Sequence, residues 1–291
     1  MKAVIWGCGN IGRMVYKPLI DNHNMNIVAY TDNSEKNWGG IIYNTPVISP
    51  KEIDKMEYDY VLIALNSFEA IKDIYRQLLQ MNIPVNKIKS IALEREFLDT
   101  CMDQRTNWIL DFARWTYEQK LDGSVAECGV FRGDSAKYIN KFFPDKKLWL
   151  FDTFEGFKET DVEYEKGVNE QNHDIHRYKE YFTRTDIDLL MQKMEYPDNV
   201  NIRKGYFPET AVDIDDSFVF VNMDMDLYLP MLAGLNFFYS RMVEGGCILL
   251  HDFFSVSWPG VKKAVYDFEM ERNICIKKVP IGDGCSIALI K

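Results

Sequence analysis

The sequence predicts an α/β protein made of two parallel, doubly wound sheets in series, the smaller one first. Three observations carry that expectation. Two glycine turns, Gly7-Cys8-Gly9-Asn10-Ile11-Gly12 and Glu127-Cys128-Gly129-Val130-Phe131-Arg132-Gly133, each follow a short apolar run and open a helical pattern. Glycine lets the backbone bend sharply there and approach a ligand closely. Each turn is followed by a second apolar run that ends in an acid, Asp32 after Met25–Tyr30 and Asp152 after Lys147–Phe151. Further continuous apolar runs, Tyr60–Leu65 and Phe218–Met223, alternate with helical stretches, as in sheets covered on both faces.

In the first unit, expected over residues 1–93, the strand at residues 2–7 leads through its turn into a helix to about residue 22. Met25–Tyr30 reads as the second strand. Ile41–Val47 reads as a loop or edge strand, because Pro46 removes a ladder donor. Ser67 is placed to cap a helix that runs to Met81, and Ile88–Ala92 closes the unit. Residues 94–120 form a helical connector, with Phe97, Cys101, Trp108, Phe112 and Trp115 on one face. The second unit, residues 121–291, opens with strand, turn, helix and strand over 124–157. A polar segment, 158–186, reads as a lid or substrate loop carrying His173 and His176. Strands follow at Val200–Gly205 and Phe218–Met223, then a helix from Pro230 to Met242 that Gly245-Gly246 would end. Cys247–Leu250 is a strand, residues 261–272 a helix, and the last two runs, Ile274–Val279 and Cys285–Ile290, suit an antiparallel hairpin.

Composition narrows the function classes. With 47% hydrophobic and 27% charged residues, the 291-residue chain has material for two packed cores. No apolar run approaches the roughly 18–20 residues of a membrane span. The opening strand has the wrong length and flanks for a signal peptide. The net charge is −10, and Lys and Arg form no stripe, which argues against a nucleic-acid partner. Six dispersed cysteines without a C-x-x-C pair read as reduced thiols, so a cytoplasmic protein is expected.

The first turn matches G-x-G-x-x-G, with Asp32 about twenty residues beyond Gly12. Read functionally, Gly7, Gly9 and Gly12 admit a pyrophosphate and Asp32 holds a ribose; read structurally, they make a tight strand-to-helix turn. This segment, with Thr31-Asp32-Asn33 and Asn44-Thr45-Pro46-Val47, resembles the Rossmann-like nucleotide-binding unit of bacterial sugar acyltransferases. The second turn differs. Glu127 opens it, and the spacing to Gly133 is longer. An acid there disfavours an anion and suits a ligand with ammonium, sulfonium and hydroxyl groups but no phosphate, such as S-adenosylmethionine.

Three more segments agree: Leu150-Phe151-Asp152-Thr153-Phe154-Glu155-Gly156-Phe157, Lys204-Gly205-Tyr206-Phe207-Pro208-Glu209-Thr210, and Asn222-Met223-Asp224-Met225-Asp226-Leu227-Tyr228 with Glu244–Phe253. With them, residues from about 106 to 291 resemble the macrocin and mycinamicin (TylF-like) O-methyltransferase family. These are class I S-adenosylmethionine-dependent enzymes with a Rossmann-like sheet that methylate sugar hydroxyls. The resemblance implies that Glu127, Cys128, Gly129, Gly133 and Ser135 line the methionine part of the cofactor and that Asp152 holds its ribose. Thr153, Phe154 and Tyr206 would lie near the nucleoside end. Asp224 and Asp252 would converge at strand ends as oxygen ligands for Mg²⁺ or another divalent cation, with Asp224 taking the acceptor's proton.

The family usually shows two consecutive acids where this chain has His251-Asp252. His251 is therefore open to three readings: ligand to a softer ion, general base, or hydrogen-bond partner. Asp226 is open to three readings, further metal ligand, helix cap or substrate contact, with the last two favoured, and the acids of Asp161–Glu165 and Asp213–Asp216 read as solvated surface. Two rival functions remain at this level. One is a regulatory protein that binds the cofactor without turnover; the other is an NAD-linked oxidoreductase using the first turn. The expected partner is a small sugar-containing acceptor, and the resemblance implies a homo-oligomer.

Overall fold

A computed structural model describes residues 1–91, 103–168 and 181–291. The chain forms two compact units, Met1–Met102 and Asp103–Lys291. Both are α/β, as expected.

The first unit contains β1 (Lys2–Trp6), α1 (Asn10–Met14), α2 (Tyr16–His23), β2 (Asn26–Thr31), β3 (Ile41–Ile42), β4 (Thr45–Ile48), β5 (Tyr60–Ile63), α3 (Phe68–Gln80) and β6 (Ile88–Ser90). Its sheet runs β3-β4-β2-β1-β5-β6. β1 pairs in parallel with β2 and β5; β3 is the antiparallel edge, while β4, which carries Pro46, is not an edge strand but lies between β3 and β2. Ser67 caps α3 by accepting from the Ala70 amide. The single helix expected up to residue 22 is two, joined at Val15. Pro18 has no N–H to give the carbonyl of Met14, so the helical ladder restarts, and the Leu19 amide bonds to the carbonyl of Val15.

The second unit contains α4 (Gln104–Glu118), β7 (Ser124–Cys128), α5 (Ala136–Phe142), β8 (Leu148–Asp152), α6 (Glu159–Val168), α7 (Ile187–Met191) and β9 (Val200–Lys204). It continues with β10 (Phe218–Met223), α8 (Tyr228–Phe238), β11 (Met242–Leu250), α9 (Pro259–Arg272), β12 (Lys277–Pro280) and β13 (Ile287–Ile290). The seven strands run β12-β13-β11-β10-β7-β8-β9. The five from β9 to β11 are parallel, and β13 and β12 close the sheet antiparallel. β10 lies at the centre and every residue in it is buried. Apolar clusters cover both faces, one around Phe151, Phe207 and Phe238, the other around Phe112, Phe143 and Phe220. That double burial is why β10 reads as an unbroken apolar run rather than an alternating one.

Four further expectations change. Of the polar segment 158–186, residues 159–168 form α6, while His173 and His176 lie outside the described residues, as do Phe97 and Cys101. Asp161 and Glu165 are not solvated: they are 4% and 0% exposed. Each turns inward from α6 to a hydrogen-bond partner, so the acid run is an amphipathic helix face. Gly245-Gly246 does not end a helix. It lies inside β11, which begins at Met242, and Gly245 takes φ +80° where the register with β10 shifts. Asp226 does not cap α8, whose N-cap is Leu227. No helix among the described residues is long and apolar enough to cross a membrane.

Candidate active site

Parallel strands β8, β7, β10 and β11 lie side by side and end at one edge, so the residues just beyond each end converge there. Gly129 makes the first turn possible. Its φ is +81°, and a Cβ would stand 1.9 Å from the carbonyl oxygen of Asp224. The Gly129 amide bonds to the carbonyl of Phe151, and the Asp224 amide to that of Cys128 (2.9 and 2.8 Å). Gly133 serves packing instead: a Cβ there would meet Leu190 at 2.8 Å.

A cleft of about 680 Å³ opens at this edge, and Gly129, Asp152, Thr153, Tyr206, Asp224 and Asp226 are among its walls. Asp152 closes it on one side. Its Oδ2 accepts from the amides of Val130 and Phe131 (2.7 and 2.8 Å), and its Oδ1 from that of Phe154 (2.7 Å). Burial raises its pKa, and these three amides oppose the rise. A carboxylate offers about four acceptor sites, so Oδ1 keeps capacity for one further hydroxyl. Tyr206 donates to Asp161 at 2.9 Å, and the Lys158 ammonium lies 3.9 Å from the Tyr206 ring centre. Thr153 Oγ1 accepts from the Glu155 amide, and Phe154 adopts φ +52°. Among the other sequence candidates, Cys128 is core, fully enclosed, and Ser135 begins α5 without a capping bond from its side chain.

Behind the cleft runs a continuous polar chain. Asn222 donates to Glu127 Oε1 at 2.6 Å; the two residues are register partners on β10 and β7. Arg105, from α4, donates to Asn222 Oδ1 at 2.7 Å and to Asp224 Oδ2 at 3.1 Å. His251 Nδ1 lies 3.1 Å from Asp224 Oδ1 and 2.9 Å from Asp252 Oδ2. Cys285 Sγ lies 3.2 Å from Asp252 Oδ1. Burial pushes the Glu127 carboxyl up to about 8 against the pull of Arg105. For Asp224 burial also opposes ionisation, but Arg105 and His251 outweigh it and hold the carboxyl well below its usual range. Asp226 goes the other way: burial, then the charges of Asp224 and Asp252, push it upward.

Metal-ligand geometry occurs in two overlapping groups among the described residues. Asp224, Asp226 and Asp252 offer oxygens within 4.8 Å of one another, as do His251, Asp252 and Cys285 with nitrogen, oxygen and sulfur. Asp226 and Asp252 both sit at φ +59°, a conformation non-glycine residues seldom adopt and one that clusters at functional sites. The structure thus brings Asp224, His251 and Asp252 together as sequence reasoning paired them, with Asp226, one of whose readings is a further ligand, beside them.

Sequence reasoning missed Arg105, Asn222, Glu165 and Cys285. Arg105 and Cys285 are distant in sequence from the strand ends they meet, so spacing carries no trace of them. Asn222 had a signal: a lone amide at the end of an otherwise apolar strand must find a buried partner.

The first turn of the chain is built differently. A Cβ on Gly7 would meet the carbonyl of Ala64 at 2.8 Å, and one on Gly12 the carbonyl of Gly7 at 1.9 Å, while one on Gly9 would meet nothing within 4 Å. Asp32 accepts from the amides of Cys8 and Ser34 (2.9 and 2.8 Å). Helix α1 spans only five residues, so its dipole lends an anion little support.

Comparison with known proteins follows this division. Residues 1–89 match the model of the C2185-like N-terminal family, and residues 100–284 match that of the macrocin O-methyltransferase (TylF) family. None of the curated proteins matches the chain. Among solved structures, the O-methyltransferase NovP is similar with a TM-score of 0.56 and 16% identity, covering 77% of this chain and 99% of NovP. The calicheamicin methyltransferase CalS11 is similar with a TM-score of 0.51 and 16% identity, covering 77% of this chain and 90% of CalS11. These two likenesses confirm the class I methyltransferase fold. The match to residues 100–284 takes in more than half of the sequence, and the chain belongs to the macrocin O-methyltransferase family.

Proposed function

We propose that this O-methyltransferase moves a methyl group from S-adenosylmethionine to a hydroxyl of a small sugar-containing acceptor. The observation that carries the reading is one cleft bordered both by the glycine turn with Asp152 and by the acids Asp224 and Asp226. Its wall suits this cofactor. Among the described residues, four acids, Asp152, Asp161, Asp224 and Asp226, line the cleft with one base, Lys158, an acidic wall that favours a sulfonium and disfavours phosphate. Oδ1 of Asp152 takes a ribose hydroxyl, and Gly129 borders the same cleft. The aromatic lining, including Phe131, Phe157 and Phe182, excludes water from the reacting atoms.

The acid cluster fits a divalent cation. Three carboxylate oxygens lie within 4.8 Å, and Asp226 is 8% exposed beside two other acids, a charge excess that a cation relieves. Asp224, Asp226, Asp252 and His251 are the residues that would hold one. When bound, such an ion lowers the pKa of a hydroxyl it meets. The chain's own part is alignment and proton transfer. Asp224 faces the cleft and accepts the proton of the attacking hydroxyl. Arg105 and His251 keep Asp224 in the ionised form that can accept, though as a weaker base than a free carboxylate, and His251 holds its other oxygen in place. The hydroxyl oxygen forms its bond to the methyl carbon as the carbon–sulfur bond breaks, its electron pair passing to sulfur.

The test pairs binding with turnover. Asp224→Asn is expected to bind S-adenosylhomocysteine within about threefold of wild type in calorimetry and to lose roughly 10²–10⁴ in turnover, the range of a lost general base. Full turnover in this variant, or no binding of S-adenosylhomocysteine by the wild type, overturns the reading.

A further inference from the structure

Two groups of potential metal ligands share Asp252, and their chemistry differs. The cleft-facing group is all oxygen: Asp224, Asp226 and Asp252. The group behind it joins His251, Asp252 and Cys285. Of these last three none is a wall of the cleft, whereas Asp224 and Asp226 both are. Within the second group, His251 Nδ1 lies 2.9 Å from Asp252 Oδ2. Donors bound at about 2.0–2.2 Å around a tetrahedral ion lie roughly 3.3 Å apart, so this spacing is close to that of a coordination edge. Cys285 Sγ lies 3.2 Å from Asp252 Oδ1, the three residues' donor atoms fall within 4.8 Å of one another, and Cys285 is only partly exposed. It is held there by the turn before β13, where the Asp283 carboxylate accepts from the amides of Cys285 and Ser286 (2.9 and 2.7 Å).

We propose that His251, Asp252 and Cys285 form a site for a zinc-class cation, set one layer behind the cleft. Nitrogen and sulfur donors select borderline-soft ions such as Zn²⁺ and Co²⁺ and are poor partners for Mg²⁺, which keeps to oxygen. On binding, the ion replaces the thiol proton of Cys285 and any proton on His251 Nδ1, and both leave to solvent. Asp252 then serves the ion. Asp224 and Asp226 stay on the cleft wall to meet the acceptor, and the fixed positive charge behind them offsets the repulsion among the acids. This inference rests on reading the strand-end cluster as the reaction centre and names the class of ion it takes.

The test uses full-length protein, reduced, stripped with chelator and titrated anaerobically with Co²⁺. Sulfur-to-cobalt charge transfer gives an intense near-ultraviolet band that oxygen and nitrogen ligands do not. The wild type is expected to develop that band to one equivalent and to keep it in about a hundredfold excess of Mg²⁺. Cys285→Ser is expected to lose the band and at least about tenfold in Co²⁺ affinity by calorimetry. Asp226→Asn should keep the band, as should Cys275→Ser, which removes an exposed thiol elsewhere. Cobalt binding without the band, a band that survives Cys285→Ser, or displacement by Mg²⁺ overturns the proposal while leaving an oxygen-ligated ion in the reaction centre. Failure of the wild type to bind Co²⁺ at all overturns both.

Discussion

Replacing Gly129 by alanine tests the joint between the glycine turn and the acids. The backbone there has φ +81°, and a Cβ would lie 1.9 Å from the Asp224 oxygen, 2.6 Å from its carbonyl carbon and 3.2 Å from the Met225 nitrogen. All three are main-chain atoms, so no rotamer change makes room. Contact at a tolerable distance requires the end of β10 to move by more than about 1 Å. That end is fixed by the Asp224 amide on Cys128 and the His251 amide on Met223, at 2.8 and 3.0 Å. Left-handed backbone costs alanine about 1–2 kcal/mol, and overpacking a rigid site about 1–3 kcal/mol. The sum is about 2–5 kcal/mol, which for a unit of this size is a fall of roughly 5–15 °C in Tm. Urea unfolding followed by circular dichroism measures the first figure, and a thermal scan the second. Since the displaced carbonyl belongs to Asp224, turnover should fall further than the remaining folded fraction explains. A loss below about 1 kcal/mol, with turnover intact, would show that the turn and the acid are not mechanically joined as described.

Three other outcomes are expected. In the first unit Gly9→Ala should change stability by no more than about 0.5 kcal/mol, since φ is −77° and the space is open, while Gly12→Ala should cost several times that; equal effects in unfolding experiments would contradict the packing. Glu127→Gln should alter the pH profile of stability. Burial lifts the wild-type carboxyl from 4.5 to about 8, so the folded protein holds a proton that the unfolded chain releases between those values, and stability is lost as pH rises through that window. The glutamine variant lacks this loss, so its advantage should grow from pH 4.5 to 8 toward at most about 4–5 kcal/mol, at about 1.4 kcal/mol per pH unit; parallel curves over that range would refute it. Glu165→Ala should cost about 2–5 kcal/mol in urea unfolding. It removes the acceptor for the amides of Tyr228 and Gly260, bonded at 2.8 and 3.1 Å, and strands both; a change under 1 kcal/mol would mean that those amides find other partners.

Local chemistry made much of the fold legible. Turn glycines and strand-end acids stand next to each other in sequence, so the ends of β1, β2, β7, β8 and β10 were placed within a residue or two. The double burial of β10 showed in its unbroken apolar run. What failed were features set by distant partners. Gly245-Gly246 looks like a helix stop, yet the pairing of β11 with β10 and β13 overrides that preference. The acids of α6 look solvated until Tyr206, Tyr228 and Gly260 come to meet them. In the site, Asp224, His251 and Asp252 were legible because parallel strands deliver their ends to one edge. Asp226 reads as ligand, cap or substrate contact from the sequence, because a single acid before a helix carries the same local signature in each role. Arg105 and Cys285 arrive from α4 and the turn before β13, and only the folded sheet brings them within reach.

Asp152 has a consequence for affinity. Its carboxylate ties the loop after β7 to the loop after β8 through three main-chain hydrogen bonds before any ligand arrives. A nucleoside entering the cleft therefore meets a wall that is already set, and little of its binding free energy goes into ordering loops. Tight and loose ligands should then differ in how slowly they leave rather than in how fast they arrive.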